Sequence, residues 1–310
     1  MRKLSTLVFL IFVFGINFVC AAHWISGWVE DALDGESANG KTVALWKPSV
    51  GANDNITGVV GPTGMAGVSN IYLIDCELLG SPCIVGDILS LGIFGYPYLS
   101  WIVNVTVSGA GYDISGNLSL NSPPVASLGA PANGGYSDAS VDFYCAFNDY
   151  DENIVRVSLW GNWSGSWTEE DFITSGFEDG YYYFSEVLTE GYYDWSCYVE
   201  DEFGVGGFAP NNNTFFVDTT PPSVSNVTSV TEVCGLGSIP VECSVSDNGE
   251  VASVIIQAIS PNSSLINYSA SWISGDIYRA SVDLGSVGIW NFDCFANDSA
   301  GNVNSSSGEP

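Results

Sequence analysis

The sequence predicts an all-β protein built of tandem sandwich domains, and three observations predict it. Short β-branched and aromatic runs are separated by clusters of Gly, Asn, Asp and Ser, and no long amphipathic helical pattern follows residue 22. One skeleton occurs twice. Pro123-Pro124 leads to Cys145 and Cys197, and about ninety-eight residues later Pro221-Pro222 leads to Cys243 and Cys294. Around each of these cysteines, apolar residues alternate with polar ones at the period of a strand.

The first twenty-two residues stand apart. Arg2 and Lys3 precede an apolar run from Leu7 to Val19, and small residues follow at Cys20-Ala21-Ala22. This is the pattern of a signal peptide cleaved after Ala22, so residues 1–22 are read as a signal peptide and the rest as secreted. The run is short for a membrane anchor of ~20 residues, and Asn17 weakens it further. Acylation of Cys20 would need small residues before it, where Asn17-Phe18-Val19 stands instead. No membrane span is predicted in the mature segment.

Residues 23–121 form the first predicted domain. Ile25-Ser26-Gly27-Trp28-Val29-Glu30-Asp31-Ala32 and Asn39-Gly40-Lys41-Thr42-Val43-Ala44-Leu45-Trp46 read as two strands joined by a Gly- and Asp-rich hairpin. Val103-Asn104-Val105-Thr106-Val107 and Leu118-Ser119-Leu120 would end the sandwich. Cys76 and Cys83 are seven apart and read as a local disulfide. This opening is similar to carboxypeptidase-regulatory-like, transthyretin-type modules. That resemblance implies a small β-sandwich. Related modules sometimes hold a Lys–Asn isopeptide bond, for which Lys41 or Lys47 is available, although solvated surface lysines are the simpler reading.

The second and third domains, residues 122–219 and 220–310, are set off by their Pro-Pro steps. Such steps force extended backbone and remove two amide donors, so neither a helix nor a ladder runs through them. Val141, Phe143, Cys145 and Phe147 share one strand face, as do Tyr193, Trp195, Cys197 and Val199. The later copy answers with Val241, Cys243 and Val245, and with Trp290, Phe292, Cys294 and Ala296. Cysteines on two inward faces must meet across a sandwich core, the arrangement of the second and sixth strands of an immunoglobulin-type domain. Disulfides Cys145–Cys197 and Cys243–Cys294 are expected, with Cys234 left over.

Phe292-Asp293-Cys294-Phe295-Ala296-Asn297-Asp298-Ser299-Ala300-Gly301-Asn302 and Val217-Asp218-Thr219-Thr220-Pro221-Pro222 resemble the Ig-like repeats of prokaryotic, particularly archaeal, surface proteins. Trp195 and Phe292 stand where eukaryotic domains place the corner tyrosine. Trp160 is a possible core tryptophan, with Ala258 aligned to it in the later copy. The second domain closes with Thr214-Phe215-Phe216-Val217. The third has no apolar counterpart after Gly301 and is expected to lack its last strand, leaving a neighbour unpaired.

Composition narrows the function. The net charge is −29, from 35 acidic residues against six Lys and Arg; beyond residue 22 the cations are Lys41, Lys47, Arg156 and Arg279. Such a surface repels phosphate backbones, so nucleic acid is excluded as a partner. His23 is the single histidine. That rules out a two-histidine copper site and every Ser-His-Asp or Cys-His nucleophile. No enzyme activity is expected.

Two chemistries remain. Asp149, Asp151, Asn153 and Asp201 lie in loops that share one end of the second domain, and their oxygens suit calcium. Asp247-Asn248-Gly249-Glu250 with Asp298 is a thinner version in the third, although Asp, Asn and Gly are also what turns are made of. No cofactor other than calcium is suggested. Trp160, Trp163 and Trp167 offer an aromatic platform for a glycan, with Tyr181-Tyr182-Tyr183 nearby, against the plainer reading of core and edge packing. Sequons at Asn55, Asn104, Asn117, Asn162, Asn212, Asn226, Asn262, Asn267, Asn297 and Asn304 mark possible glycosylation. The expected role is a non-enzymatic secreted or cell-surface structural or adhesion protein. The alternative is a carbohydrate- or protein-binding module, or the accessory region of a larger exoenzyme whose chain continues past Pro310; an extracellular protein or glycan is the expected partner.

Overall fold

The computed structural model describes residues 22–177, 179–228, 230–234 and 236–307. The predicted signal peptide falls almost wholly outside the described residues. Among the described residues, no helix is long and apolar enough to cross a membrane. The chain divides into two compact units, 1–122 and 123–310.

The first unit contains β1 (Trp24–Glu30), β2 (Thr42–Trp46), β3 (Asn55–Val59), β4 (Ile71–Asp75), β5 (Ile88–Gly95), β6 (Tyr98–Leu99), β7 (Val103–Thr106), β8 (Tyr112–Ile114) and β9 (Leu118–Ser119). One sheet has the order β4-β1-β8, with β9 also on β1; the other runs β3-β2-β5-β6, with β7 also on β5. The expected hairpin is corrected here: β1 and β2 lie in opposite sheets. Each buries alternate residues in the common core, Ile25 and Val29 from β1 and Val43 and Leu45 from β2. The connection therefore arches across the core instead of turning back on itself. Cys76 and Cys83 are bonded, around a single 3-10 turn at Cys76–Leu78.

Asn70 braces that arch. Its Nδ2 donates to the Val29 carbonyl and to Asp31 Oδ1, each at 2.8 Å, and its backbone N–H donates to Asn39 Oδ1 at 2.8 Å. Its φ of 62° is left-handed, a region asparagine tolerates better than other side-chain-bearing residues. Asn70→Ala removes both side-chain donations, the one to Val29 buried, and keeps the strained backbone, at an expected cost of about 2–3 kcal/mol. Asn70→Gly should recover about 1 kcal/mol of that by relieving the backbone. Urea unfolding of the first unit checks both; two variants within about 0.5 kcal/mol of wild type would show that Asn70 is not a brace.

The second unit holds two sandwiches with separate apolar cores. The earlier comprises β10 (Val125–Leu128), β11 (Gly135–Ser137), β12 (Ser140–Asn148), β13 (Ile154–Gly161), β14 (Thr168–Ile173), β15 (Tyr181–Val187), β16 (Gly191–Asp201), β17 (Gly206–Phe208) and β18 (Asn213–Val217). Its sheets run β10-β12-β15 and β11-β18-β16-β13-β14, with β17 also on β16. The later comprises β19 (Ser223–Asn226), β20 (Val230–Val233), β21 (Gly237–Ser246), β22 (Val251–Ile259), β23 (Leu265–Ser269), β24 (Ser271–Ser274), β25 (Ile277–Leu284), β26 (Gly288–Asp298) and β27 (Val303–Ser305). Its sheets run β19-β21-β25-β24 and β20-β26-β22-β23, with β27 also on β26.

These are the strand orders of Ig-like sandwiches. Disulfides Cys145–Cys197 and Cys243–Cys294 cross the two cores, joining β12 to β16 and β21 to β26. All four cysteines are fully buried, while Cys234 is exposed and free.

The ladder along β26 differs from that along β16. Along the first half of β16 the neighbour is β18, from Gly191↔Val217 to Trp195↔Asn213. The matching stretch of β26 is paired instead by β20, from Gly288↔Val233 to Asn291↔Val230. Its second half is covered by β27, as β17 covers β16. The unpaired neighbour expected from the sequence is therefore not found along β26, because a strand near the start of the sandwich supplies the ladder.

Candidate functional site

The three tryptophans of the predicted platform are not brought together. β13 turns outward at Trp160, whose ring lies 6.5 Å from that of Trp167 and 5.2 Å from Phe208 on β17. Tyr198 also packs against Phe208, at 5.0 Å. Trp163 instead folds back over the core, stacked on Phe143 at 5.1 Å. Gly161 permits this, since a Cβ there would fall 1.9 Å from the Trp163 ring. Trp160 is not a core tryptophan: its neighbour Leu159 faces Cys197, and the wholly buried indole is Trp195 on β16.

The outward cluster is therefore Trp160, Trp167, Phe208 and Tyr198, with Trp167 and Phe208 well exposed. Tyr144, Tyr181 and Tyr183 form a second group on the outer face of β12 and β15, with ring separations of 5.0 to 5.9 Å. Tyr144 was legible as outward-facing, because Phe143 and Cys145 beside it point in. Phe208 was not, because nothing in its local pattern marks β17 as a strand.

Beside the first cluster, Arg156 pairs with Glu169 at 2.7 Å and lies 3.8 Å over the Phe172 ring. Burial opposes ionisation of Glu169, but the hydrogen bonds and charge of Arg156 outweigh it and hold its pKa below the ordinary value.

The Glu202 N–H donates to the Asn153 carbonyl at 3.0 Å and so joins two loops at one end of this sandwich, on which Asp149 and Asp201 stand. Both are buried. Asp149 Oδ1 accepts from the Asp151 N–H at 2.9 Å, while Oδ2 has no hydrogen-bond partner. Asp201 Oδ1 accepts from the N–H groups of Phe203 and Val205, each at 2.9 Å. The pKa of Asp149 is raised, first by burial and then by the charges of Asp151 and Asp201. Asn153 stands in the same turn, and its backbone hydrogen bond favours the ionised carboxylate of Asp149.

A tighter acidic group sits at the junction with the next sandwich. Asp218, just past β18, Asp247, just past β21, and Asp298, at the end of β26, place one carboxylate oxygen each within 4.8 Å of the others. Among the described residues this is the group of three potential ligands that comes so close. Asp218 is 0% and Asp298 1% exposed. Asp218 Oδ1 accepts from the Thr220 N–H at 3.0 Å, and Asp298 Oδ1 accepts from the N–H groups of Ala300 and Asn302. Asn302 Nδ2 donates to Asp298 Oδ2 and to the Asp218 carbonyl, both at 2.9 Å.

Two oxygens in this group, Asp218 Oδ2 and Asp247 Oδ1, accept no hydrogen bond. The pKa of Asp247 is raised by burial and by the charges of Asp218 and Asp298. No side-chain cation offsets them: among the described residues Lys41, Lys47, Arg156 and Arg279 are paired with Glu36, Asp87, Glu169 and Glu242. Burying uncompensated carboxylates costs several kcal/mol each. Asp218 was missed in the sequence because it was read as spacer.

His23 is buried, its Nε2 2.7 Å from Asp113 Oδ2. Lys41 and Lys47 each hold a carboxylate, and Lys47 also donates to the Pro82 carbonyl at 3.2 Å. Asn55, Asn104, Asn117, Asn212, Asn262 and Asn267 are exposed, whereas Asn162, Asn226, Asn297 and Asn304 are half-buried. Asn226 and Asn304 commit Nδ2 to the carbonyls of Phe292 and Pro222, each at 2.8 Å.

No protein-family model and no curated protein matches the chain. Among solved structures it is similar to the fibronectin(III)-like modules of Clostridium thermocellum CbhA, at 14% identity and a TM-score of 0.41, over 58% of this chain and 91% of that one. It is similar also to the FN1–FN3 domains of chicken CNTN1, at 11% identity and a TM-score of 0.39, over 86% of this chain and 89% of the other. A third likeness is to a structure concerning host cell surface retention of a 1.5-MDa bacterial ice-binding adhesin, at 13% identity and a TM-score of 0.32, over 90% and 94% of the two chains. Likenesses this distant assign no family and carry no argument about function.

Proposed function

We propose that this chain is a non-enzymatic extracellular structural or adhesive segment: a signal peptide, a transthyretin-type sandwich over residues 23–121, and Ig-like sandwiches over 122–219 and 220–310. The supporting observation is the way the last two sandwiches are joined. Each has its own core and its own buried disulfide, and the linker between them is tied to both. Glu190, in the β15–β16 turn, accepts from the Thr219 and Thr220 hydroxyls and from Asn248 Nδ2 of the following sandwich. Disulfides suit an oxidising compartment, and a fixed linker suits a spacer that holds something away from a surface.

Expressed with its leader, the chain is expected outside the cell, with the six paired cysteines resistant to alkylation and Cys234 alone modified. Intracellular accumulation with six reactive thiols would refute the compartment.

The exposed aromatics favour a second reading, binding of a glycan or protein through Trp160, Trp167 and Phe208. On a glycan array, Trp160→Ala with Trp167→Ala should weaken any wild-type binding by about tenfold or more, the loss typical of central aromatic anchors. Retained binding in that double variant rules this face out. Trp163→Ala is the control for damage to the core.

A further inference from the structure

We propose that Asp218, Asp247 and Asp298 bind a calcium ion that fastens the linker to the end of the last sandwich. Asp218 is wholly buried, yet its Oδ2 is turned into the group without a hydrogen-bond partner, and Asp247 Oδ1 is in the same state. Gly249 keeps the space beside it open, since a Cβ there would fall 2.4 Å from Asp218 Oδ2. No lysine or arginine among the described residues is spare to neutralise the two carboxylates. A bound cation satisfies both deficits at once.

The donor set selects the ion. All three side chains offer hard carboxylate oxygens, with neither sulfur nor imidazole among them, which favours calcium or magnesium over zinc or copper. Calcium takes oxygens at 2.3–2.6 Å, so two ligands on opposite sides of it stand about 4.8 Å apart. The three oxygens lie within 4.8 Å of one another, close enough to share one such ion. Magnesium holds its water more tightly and usually takes only one or two protein carboxylates, so a set of three favours calcium.

The placement gives the ion a consequence. Asp218 belongs to the linker, whereas Asp247 and Asp298 belong to two loops of the last sandwich. Asn302 already clamps the Asp218 carbonyl and the Asp298 carboxylate to one another. In the preceding sandwich Asp149 and Asp201 match Asp247 and Asp298, but the repeat places Leu120 where Asp218 stands. The complete carboxylate set belongs to this junction.

The test uses the whole secreted chain, stripped of metal, titrated with calcium chloride by calorimetry and followed by thermal unfolding. Wild type should bind with a Kd of about 10⁻⁴–10⁻³ M, the range of extracellular calcium modules, and should unfold at higher temperature with calcium. Asp218→Asn keeps the acceptor for the Thr220 N–H but removes a charge. It should raise the melting temperature of the metal-free protein and abolish the calcium-induced rise. Asp247→Asn, on a half-buried loop, should do the same and serves if the first variant misfolds. Absence of binding and of any melting shift up to about 10 mM calcium overturns the proposal. So does a calcium response that survives both variants, or one that Asp149→Asn abolishes while they do not, which would put the ion in the preceding sandwich.

Discussion

Replacing Cys145 and Cys197 together by alanine is expected to destabilise the earlier Ig-like sandwich by about 4 kcal/mol. The bond closes a loop of sequence separation 52, and the chain-entropy relation gives about 4 kcal/mol for a loop of that length. Both sulfurs lie in the core with 0% exposure, so no compensating hydration is gained by the thiol-free protein. Strain released on cutting the bond would lower the figure; the space left by two lost sulfurs would raise it. For a sandwich of this size the change amounts to a fall of about 15–30 °C in melting temperature. The same exchange at Cys76 and Cys83, separated by 7, should cost about 2.5 kcal/mol because the closed loop is shorter. Denaturant unfolding followed by the fluorescence of Trp195 and Trp163 measures the first effect. A loss under about 1 kcal/mol would mean that the sandwich is held by its core alone.

The inward faces of the long strands were legible because alternation reports side-chain direction wherever one face is buried. Phe143, Cys145, Trp195, Cys197, Cys243 and Phe292 are all buried as their patterns require. Partner identity was less legible. The faces of β1 and β2 were right, yet the two were read as a hairpin, since alternation says which way a residue points and not which strand lies beside it.

The tryptophan alignment slipped for a different reason. Five residues separate β12 from β13 but four separate β21 from β22, so the repeat offset drops by one across that loop. Leu159 and Ile256, each opposite the second cysteine, are the equivalent core residues, and Trp160 matches Gln257 rather than Ala258. Asp218 was hidden by distance along the chain. Its partners in the acidic group come from β21 and β26, and only the fold shows that a residue read as linker closes their set.

Trp195→Ala should be the most damaging single substitution in the earlier sandwich, at about 4–5 kcal/mol. The indole is 0% exposed and its ring packs edge-on against Phe143 at 5.1 Å, beneath the Trp163 stack. Truncation removes that apolar area and leaves a cavity in the floor of the core, which β16 and β13 cannot close without breaking their ladder. The hydrogen bond is the smaller part of the loss. Trp195 Nε1 donates to the Pro131 carbonyl at 3.2 Å, but Asn213 Nδ2 donates to the same oxygen at 3.1 Å, so the acceptor stays satisfied. Trp195→Phe should therefore cost only about 1–2 kcal/mol. The later sandwich supports that ordering, since Phe292 fills the matching place, 1% exposed and two residues before its cysteine. Chemical denaturation of the two variants separates the contributions. If phenylalanine proved as costly as alanine, the hydrogen bond and not the packed ring would be what holds β16 to the core.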